Sequence, residues 1–391
     1  MRPLEGVTAV ALEQAVAAPL ATRHLADLGA RVIKVERPGV GDFARSYDTA
    51  VNGMSSNFVW LNRSKESLTL NLKEPDAEQI LSRLLSRADV FVQNLAPGAA
   101  ARLSLGSDRL RQSYPALVVC NISGYGASGP YQDKKAYDLL IQSEAGLLSV
   151  TGTAQEPCKV GISVADIAAG MYAYSGILTA LLCRHRTGQG AAVDVSMLEA
   201  LGEWMGYPAY YTDGGQAPAR TGASHASIAP YGPFQSRDGK AVYLGIQNER
   251  EWERFCRDVL HRSELAADAR FQSNPNRMTH RRELHAVIDE VFGNLDAIAI
   301  IERLEAAQIA NARMNTIREF VEHPQLAARN RWQTVDSPLG PVPALVPPVD
   351  IEGVDRAMGP IPALGQHTDG ILDELGFDST TVSAWRARGV I

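Results

Sequence analysis

Between Val160 and Gly176 a single charged side chain, Asp166, stands in a run of small, apolar and hydroxyl residues. Two chemistries suit a carboxylate there. Aspartate is among the best helix N-caps, because its oxygens accept the backbone N–H groups that a helix start leaves unpaired. A carboxylate also serves as a covalent nucleophile. The stretch alone leaves both readings open. A second group of residues has binding chemistry. Gln14, Arg37, Lys73, Asn94 and the triplet Gly124, Tyr125, Gly126 each follow an apolar, strand-like run, and Arg102 and Lys135 come shortly after two of them. Gathered on one sheet edge, these amides and cations suit a phosphorylated, adenine-bearing ligand. Arg184, His185 and Arg186, just before Gly188 and Gly190, read instead as charges at a helix C-terminus.

The elements that must position these residues alternate. "GVTAVALEQ" reads as a buried strand and "APLATRHLADLGA" as a helix, with Pro19 in its first turn and Gly29 at its stop. "RVIKVERPG" is a second strand, so the chain opens with a βαβ unit and a parallel sheet. "ESLTLNLK", a helix over 76–88, "DVFVQNL" and "ALVVCNISGYG" continue the pattern, and a helix is expected over 171–186. Open sheets of this kind bind ligands at the carboxyl ends of their strands. The first βα turn, "LEQAVAAPLA", has no GxGxxG, which argues against a nicotinamide or flavin enzyme. Glu36 sits where a ribose-binding acid would follow the second strand, but without the glycines. After residue 205 the composition turns rich in Gly, Pro and Tyr, marking a domain crossing or an active-site loop. The segment 338–362 carries seven prolines and is expected to be an extended return linker with no regular element, followed by two short helices.

Composition narrows the class. The 391 residues carry 45% hydrophobic and 21% charged side chains and a net charge of −6, an ordinary globular balance with no basic block for nucleic acid or a membrane surface. The four cysteines lack CxxC spacing, which argues against a zinc site or a disulfide framework. No HExxH, GxSxG or GxxxxGK[ST] pattern occurs, and no metal is expected. The N-terminus lacks the apolar core of a signal peptide, and no apolar run reads as a membrane span. A cytoplasmic location is expected.

Seven stretches in order, "PLEGVTAVALEQAVAAPLATRHLADLGARVIKVERPGVGD", "LNRSKESLTLNLK", "VQNLAPGAAARL", "AYDLLIQSEAGL", "DIAAGMYAYSGILTALLCRHRTGQGAAVDVSMLEA", "PYGPFQSRDGKAVYL" and "PALGQHTDGILDELG", resemble the class III CoA-transferases nearly end to end. The resemblance implies an α/β fold with a large Rossmann-like open-sheet domain and a smaller α+β domain, in an interlocked, ring-like homodimer. It implies Asp166 as catalytic nucleophile. The carboxylate would attack a donor thioester to give a mixed anhydride and CoA thiolate, the thiolate would return to form an aspartyl-CoA thioester, and an acceptor carboxylate would reverse the sequence. Gln14, Ala15, Val16, Arg37, Leu70, Lys73, Asn94, Leu95, Arg102, Lys135 and Tyr137 map onto the family's CoA groove. His225 and Tyr231 are candidates for the substrate carboxylate. Leu95 departs from a frequent aromatic, and Gln14 from the histidine of some members. Coenzyme A enters as acyl-CoA substrate, with no permanently bound cofactor; the partners are a donor acyl-CoA and an acceptor acid.

The expected organisation is residues 1–205 as the CoA-binding part, 206–335 as a small domain with linker, and 336–391 as a return to the large domain. The stretches around Gln14 and His225 look most like members acting on mesaconyl-, itaconyl-, citramalyl- or succinyl-CoA; formyl-CoA/oxalate and carnitine types are the runners-up. A 2-methylacyl-CoA racemase shares the fold, but in "KAYD" Tyr137 stands where the racemases place a histidine base, and tyrosine is a poor base at neutral pH. A non-catalytic CoA-binding protein would keep the groove without needing Asp166.

Overall fold

The computed structural model describes residues 1–391. It divides into two compact units: residues 1–145, 160–206 and 326–391 form the first, and residues 146–159 and 207–325 the second.

The first unit is built on six parallel strands: β1 (Thr8–Leu12), β2 (Arg31–Glu36), β3 (Lys65–Thr69), β4 (Val90–Gln93), β5 (Val118–Ser123) and β6 (Ala192–Ser196). Their order is β3-β2-β1-β4-β5-β6. Strand order reverses between β1 and β4, whose register pairs Ala9 with Val90 and Leu12 with Gln93. The reversal opens a crevice at the carboxyl ends of these two strands, the usual ligand site of such sheets. The central strands are apolar on both faces, as a sheet covered on both sides demands: Ala9, Val10, Ala11, Val90, Phe91, Val92, Val118 and Val119 are buried. On one face the C-terminal Ile371, Leu372, Phe377, Trp385 and Val390 join Val10, Ile33, Leu68, Phe91 and Val119 in a single core, so the end of the chain completes the first unit.

Two helices pack closely, and the second carries the nucleophile candidate: Ala17–Asp27 and the 24-residue Val164–Thr187. The second starts earlier than the 171 expected from sequence. Its buried face is nearly all small, with Ala165, Ala168, Ala169, Gly170, Ala173 and Ala180. At Gly170 a Cβ would lie 2.6 Å from the Ala17 carbonyl oxygen, so only glycine admits this approach. The helix is long and apolar enough, by length and composition, to cross a membrane, which the sequence reading had excluded; its small-residue face is spent on packing within the first unit. Gly188, at φ 73°, ends it in the left-handed conformation, and Arg184 ties the C-terminal turn to Asp89 at 2.9 Å.

The proline-rich segment is not wholly irregular. β11 (Val342–Leu345) pairs antiparallel with β10 (Trp332–Val335), with Pro343 opposite Thr334. A two-stranded ribbon has only edge strands, where a proline that donates no hydrogen bond is tolerated.

The second unit holds a three-stranded antiparallel sheet of β7 (Tyr231–Gln235), β8 (Ala241–Gly245) and β9 (Ala310–Arg313). Helices Arg281–Phe292 and Ala297–Ala306 cover it around a core that includes Phe234, Trp252, Phe255, Phe271 and Phe292.

Candidate active site

Asp166 lies in the first turn of its helix but does not cap it. The N-cap position is Ser163, and the side chain that bonds the helix start is Asp138, whose Oδ1 accepts the Ala165 N–H at 2.9 Å. Asp138 is itself held by Gln142, whose Nε2 donates to Oδ2 at 2.7 Å. The cap thus comes from a neighbouring helix, Asp138–Glu144, and Asp166 is left for another task. Burial pushes its carboxyl up, the nearby charge of Asp138 pushes it further, and a backbone N–H from Ala17 pulls it back, leaving it at about 7. Such a carboxylate is poorly solvated when ionised, which makes it reactive toward a carbonyl carbon.

The N–H that meets Asp166 leaves the turn after β1, and that turn is held from three sides. Asn94, after β4, clamps Gln14 with two bonds of 2.9 Å, Oδ1 accepting the Gln14 N–H and Nδ2 donating to its carbonyl. This pair bridges the switch point of the sheet. Gln14 Oε1 accepts the Phe43 N–H at 3.1 Å. Ala15 adopts φ 62°, and its N–H donates to Asp42 Oδ1 at 3.1 Å. Behind the turn lies a buried ion network. Lys34 bonds Asp42 Oδ2 at 2.7 Å and Glu13 Oε1 at 3.2 Å, and Lys65 bonds Glu13 Oε1 at 2.7 Å. Burial pushes Lys65 down to about 8 against the pull of Glu13. Glu36 belongs to this interior: burial opposes its ionisation, but bonds from Arg45 and the charge of Lys34 outweigh that and hold it at about 2. Its oxygens are taken by Arg45, Ser67 and the Asp42 N–H, so it is not the free ribose-binding acid its position at the end of β2 suggested.

The sequence-predicted binding residues divide. Gln14, Arg37, Leu70, Lys73 and Leu95 line one cavity of about 170 Å³ at the carboxyl edge of β1 and β2. Asn94 stands behind it as the clamp on Gln14, and Ala15 and Val16 lead from it toward Asp166. Tyr137, exposed, immediately precedes Asp138. Arg102, at the end of the Ala99–Arg102 helix, and Lys135 are exposed and do not line this cavity. In the second unit His225 and Tyr231 stack on each other, ring centroids 5.1 Å apart, and the His225 N–H donates to the Tyr231 carbonyl. A larger opening of about 300 Å³ is lined by Tyr172, Asp194, Ser196, Glu199 and Glu203. Its carboxylates and lack of a cation suit an anionic ligand badly, so the smaller cavity is the better candidate. Sequence reasoning missed three residues here. Asp138 and Asp42 act through contacts 27 residues away in the chain. Tyr47, raised to about 12 by burial and then by Asp42, Asp166 and Tyr137, lies within electrostatic reach of the nucleophile candidate.

Comparison with known proteins agrees with this geometry. The sequence model of CoA-transferase family III matches residues 4–368. The chain is 33% identical over 397 residues to the mouse succinyl-CoA:glutarate CoA-transferase, covering all of this chain and 91% of that protein. It is 31% identical over 395 residues to the succinyl-CoA:mesaconate CoA-transferase of Haloarcula marismortui, covering 97% and 98%. Among solved structures, a CAIB/BAIF family protein from Brucella suis superposes with a TM-score of 0.84 at 30% identity, covering 95% of this chain and 99% of that one. The chain belongs to CoA-transferase family III and is a CoA-transferase.

Proposed function

We propose that the enzyme moves CoA from succinyl-CoA to a short dicarboxylic acid, with Asp166 as the covalent carrier. One observation carries the reading: a half-buried carboxylate in the first turn of a small-residue helix, unused as a cap and met by the Ala17 N–H. In the first step an Asp166 oxygen bonds to the thioester carbonyl carbon and the C–S bond breaks, giving a mixed anhydride and CoA thiolate. The thiolate then bonds to the Asp166 carbonyl carbon, and the donor leaves as a free carboxylate. The resulting aspartyl-CoA thioester is attacked by the acceptor carboxylate, and the same two steps run in reverse. Each addition builds negative charge on a carbonyl oxygen, which backbone N–H donors must stabilise. Gln14, Arg37, Leu70, Lys73 and Leu95 take the nucleotide end of CoA, Arg37 and Lys73 pairing with its phosphates. Arg102, Lys135 and Tyr137 extend the groove.

Relatives named for glutarate and mesaconate support a dicarboxylic acceptor. The homodimer implied by the family is supported by apolar surface on the first unit, where Leu139, Leu140, Met171, Tyr172, Leu182 and Trp204 are exposed. The reading is tested by incubating the enzyme with succinyl-CoA and, in turn, glutarate, mesaconate, citramalate, itaconate, oxalate and carnitine. New CoA esters are read by mass. A CoA ester of glutarate, mesaconate, citramalate or itaconate, absent with Asp166→Ala, is expected. Transfer to oxalate or carnitine alone would overturn the substrate assignment.

A further inference from the structure

We infer that Asp42 is a positioning residue for the transfer reaction: it holds Ala15 in the left-handed conformation and so sets the start of the Ala17–Asp27 helix against the helix that carries Asp166. The inference rests on the reading of Asp166 as nucleophile.

Three observations carry it. Ala15, at φ 62°, is a residue with a Cβ in a region that side chains disfavour, and such a residue persists only where its surroundings impose it. What reaches this residue itself is a bond to Asp42, added to the hold of Asn94 on the neighbouring Gln14. Asp42 Oδ1 accepts the N–H of Ala15 at 3.1 Å and that of Ala44 at 2.9 Å. The other oxygen of Asp42 is fixed by Lys34 at 2.7 Å, with both side chains fully buried. Two residues beyond Ala15 the Ala17–Asp27 helix begins without a side-chain cap, and its Ala17 carbonyl lies so close to Gly170, one turn along the helix that carries Asp166, that a Cβ there would sit 2.6 Å from it. The carboxylate–lysine pair is therefore joined to the nucleophile by one short, strained turn of backbone. An Asp42 that merely capped its own Phe43–Ser46 turn would need the bond to Ala44 but not the bond to Ala15.

The test separates positioning from folding. In Asp42→Asn the charge that holds Lys34 is lost, so the oxygen that accepts the Ala15 N–H is no longer fixed in place and the turn is loosened. A displacement of about 1 Å at a reacting group costs on the order of 100-fold in rate. We expect kcat for succinyl-CoA-dependent transfer to fall by that order while KM for succinyl-CoA stays within about threefold, because Arg37 and Lys73, the cations of the nucleotide cavity, lie outside the loosened turn. In the double variant Ala15→Gly with Asp42→Asn, glycine takes the left-handed conformation without a clamp, and at least a tenfold recovery of kcat is expected. If Asp42→Asn does not fold, Lys34→Met with Asp42→Leu removes the buried pair together, and the same loss and the same recovery by Ala15→Gly are expected. An unchanged kcat in the folded variant, a loss carried by KM, or a loss that Ala15→Gly leaves in place would overturn the inference. Trapping of the covalent intermediate on the wild-type enzyme runs in parallel. A wild type without an adduct on Asp166 refutes the nucleophile reading itself, whereas an adduct together with indifferent variants refutes only the role of Asp42.

Discussion

Replacing Asp166 by Asn should abolish transfer and make the protein more stable, by an amount that depends on pH. Burial and the charge of Asp138 lift its carboxyl from 3.8 to about 7 in the folded protein, whereas in the unfolded chain it returns to its ordinary value. At about 1.4 kcal/mol per tenfold, that lift amounts to a cost of about 4 kcal/mol once both states are ionised. The open edge of this half-buried side chain reduces the cost toward about 2 kcal/mol. The direction follows from which state holds the proton. Near pH 3 and below, both states are largely protonated, and Asp166 costs the fold little. Between pH 4 and 7 the unfolded chain ionises while folded Asp166 keeps its proton, so wild-type stability falls; above pH 7 the difference is constant. Asn, with nearly the same shape and an oxygen still available to the Ala17 N–H, has no such dependence. Urea unfolding of both proteins without CoA, at pH 5, 6, 7 and 8, cancels every other titrating group. The expected gain for Asp166→Asn is roughly twice as large at pH 8 as at pH 5, approaching the full 2–4 kcal/mol range (about 3 kcal/mol at mid-estimate) at the higher pH. A gain that does not grow with pH, or a loss, would refute the assignment of a strained carboxylate.

Other consequences are equally direct. Asp138→Asn removes the neighbouring like charge, so the acid limb of kcat/KM should move below pH 7 by roughly half to one pH unit, and an unmoved midpoint would show that Asp138 does not act on Asp166 through charge. Gly170→Ala drives a methyl into the Ala17 carbonyl and should cost about 1–3 kcal/mol in thermal unfolding along with a fall in kcat; an unchanged melting temperature would contradict the close helix approach. Arg37→Ala and Lys73→Ala should each raise KM for acyl-CoA by roughly tenfold at low salt, with kcat little changed and the penalty shrinking as salt rises. A kcat effect at constant KM would remove them from the CoA groove.

The sheet was legible because each central strand is a short apolar run closed by a polar residue, and those closing residues, Gln14, Arg37 and Asn94, meet at the switch point once β1 lies beside β4. The cavity lining followed from the same pattern. What the sequence hid is contact between distant segments. Nothing near Val164 announces that its helix is capped by Asp138, because a cap supplied by another helix leaves no local spacing to read, and Asp166 itself looks like the cap. Glu36 looked like a free acid because the sequence does not display Arg45 and Ser67 folding over it. The strand at Val342–Leu345 was hidden by its proline, harmless at the edge of a ribbon. The segment 146–159 packs with the second unit although it lies between two parts of the first, a placement that composition cannot reveal.

The central claim, that Asp166 carries the transferred group, is met most directly by mass spectrometry of the protein after incubation with succinyl-CoA and trapping with hydroxylamine or borohydride, on wild type and Asp166→Ala. The account predicts a modification on the peptide bearing Asp166 in the wild type and none in the variant. An unmodified Asp166 with several acyl-CoAs, accompanied by exchange of the substrate α-proton with solvent, would contradict it and assign the carboxylate to acid–base chemistry instead.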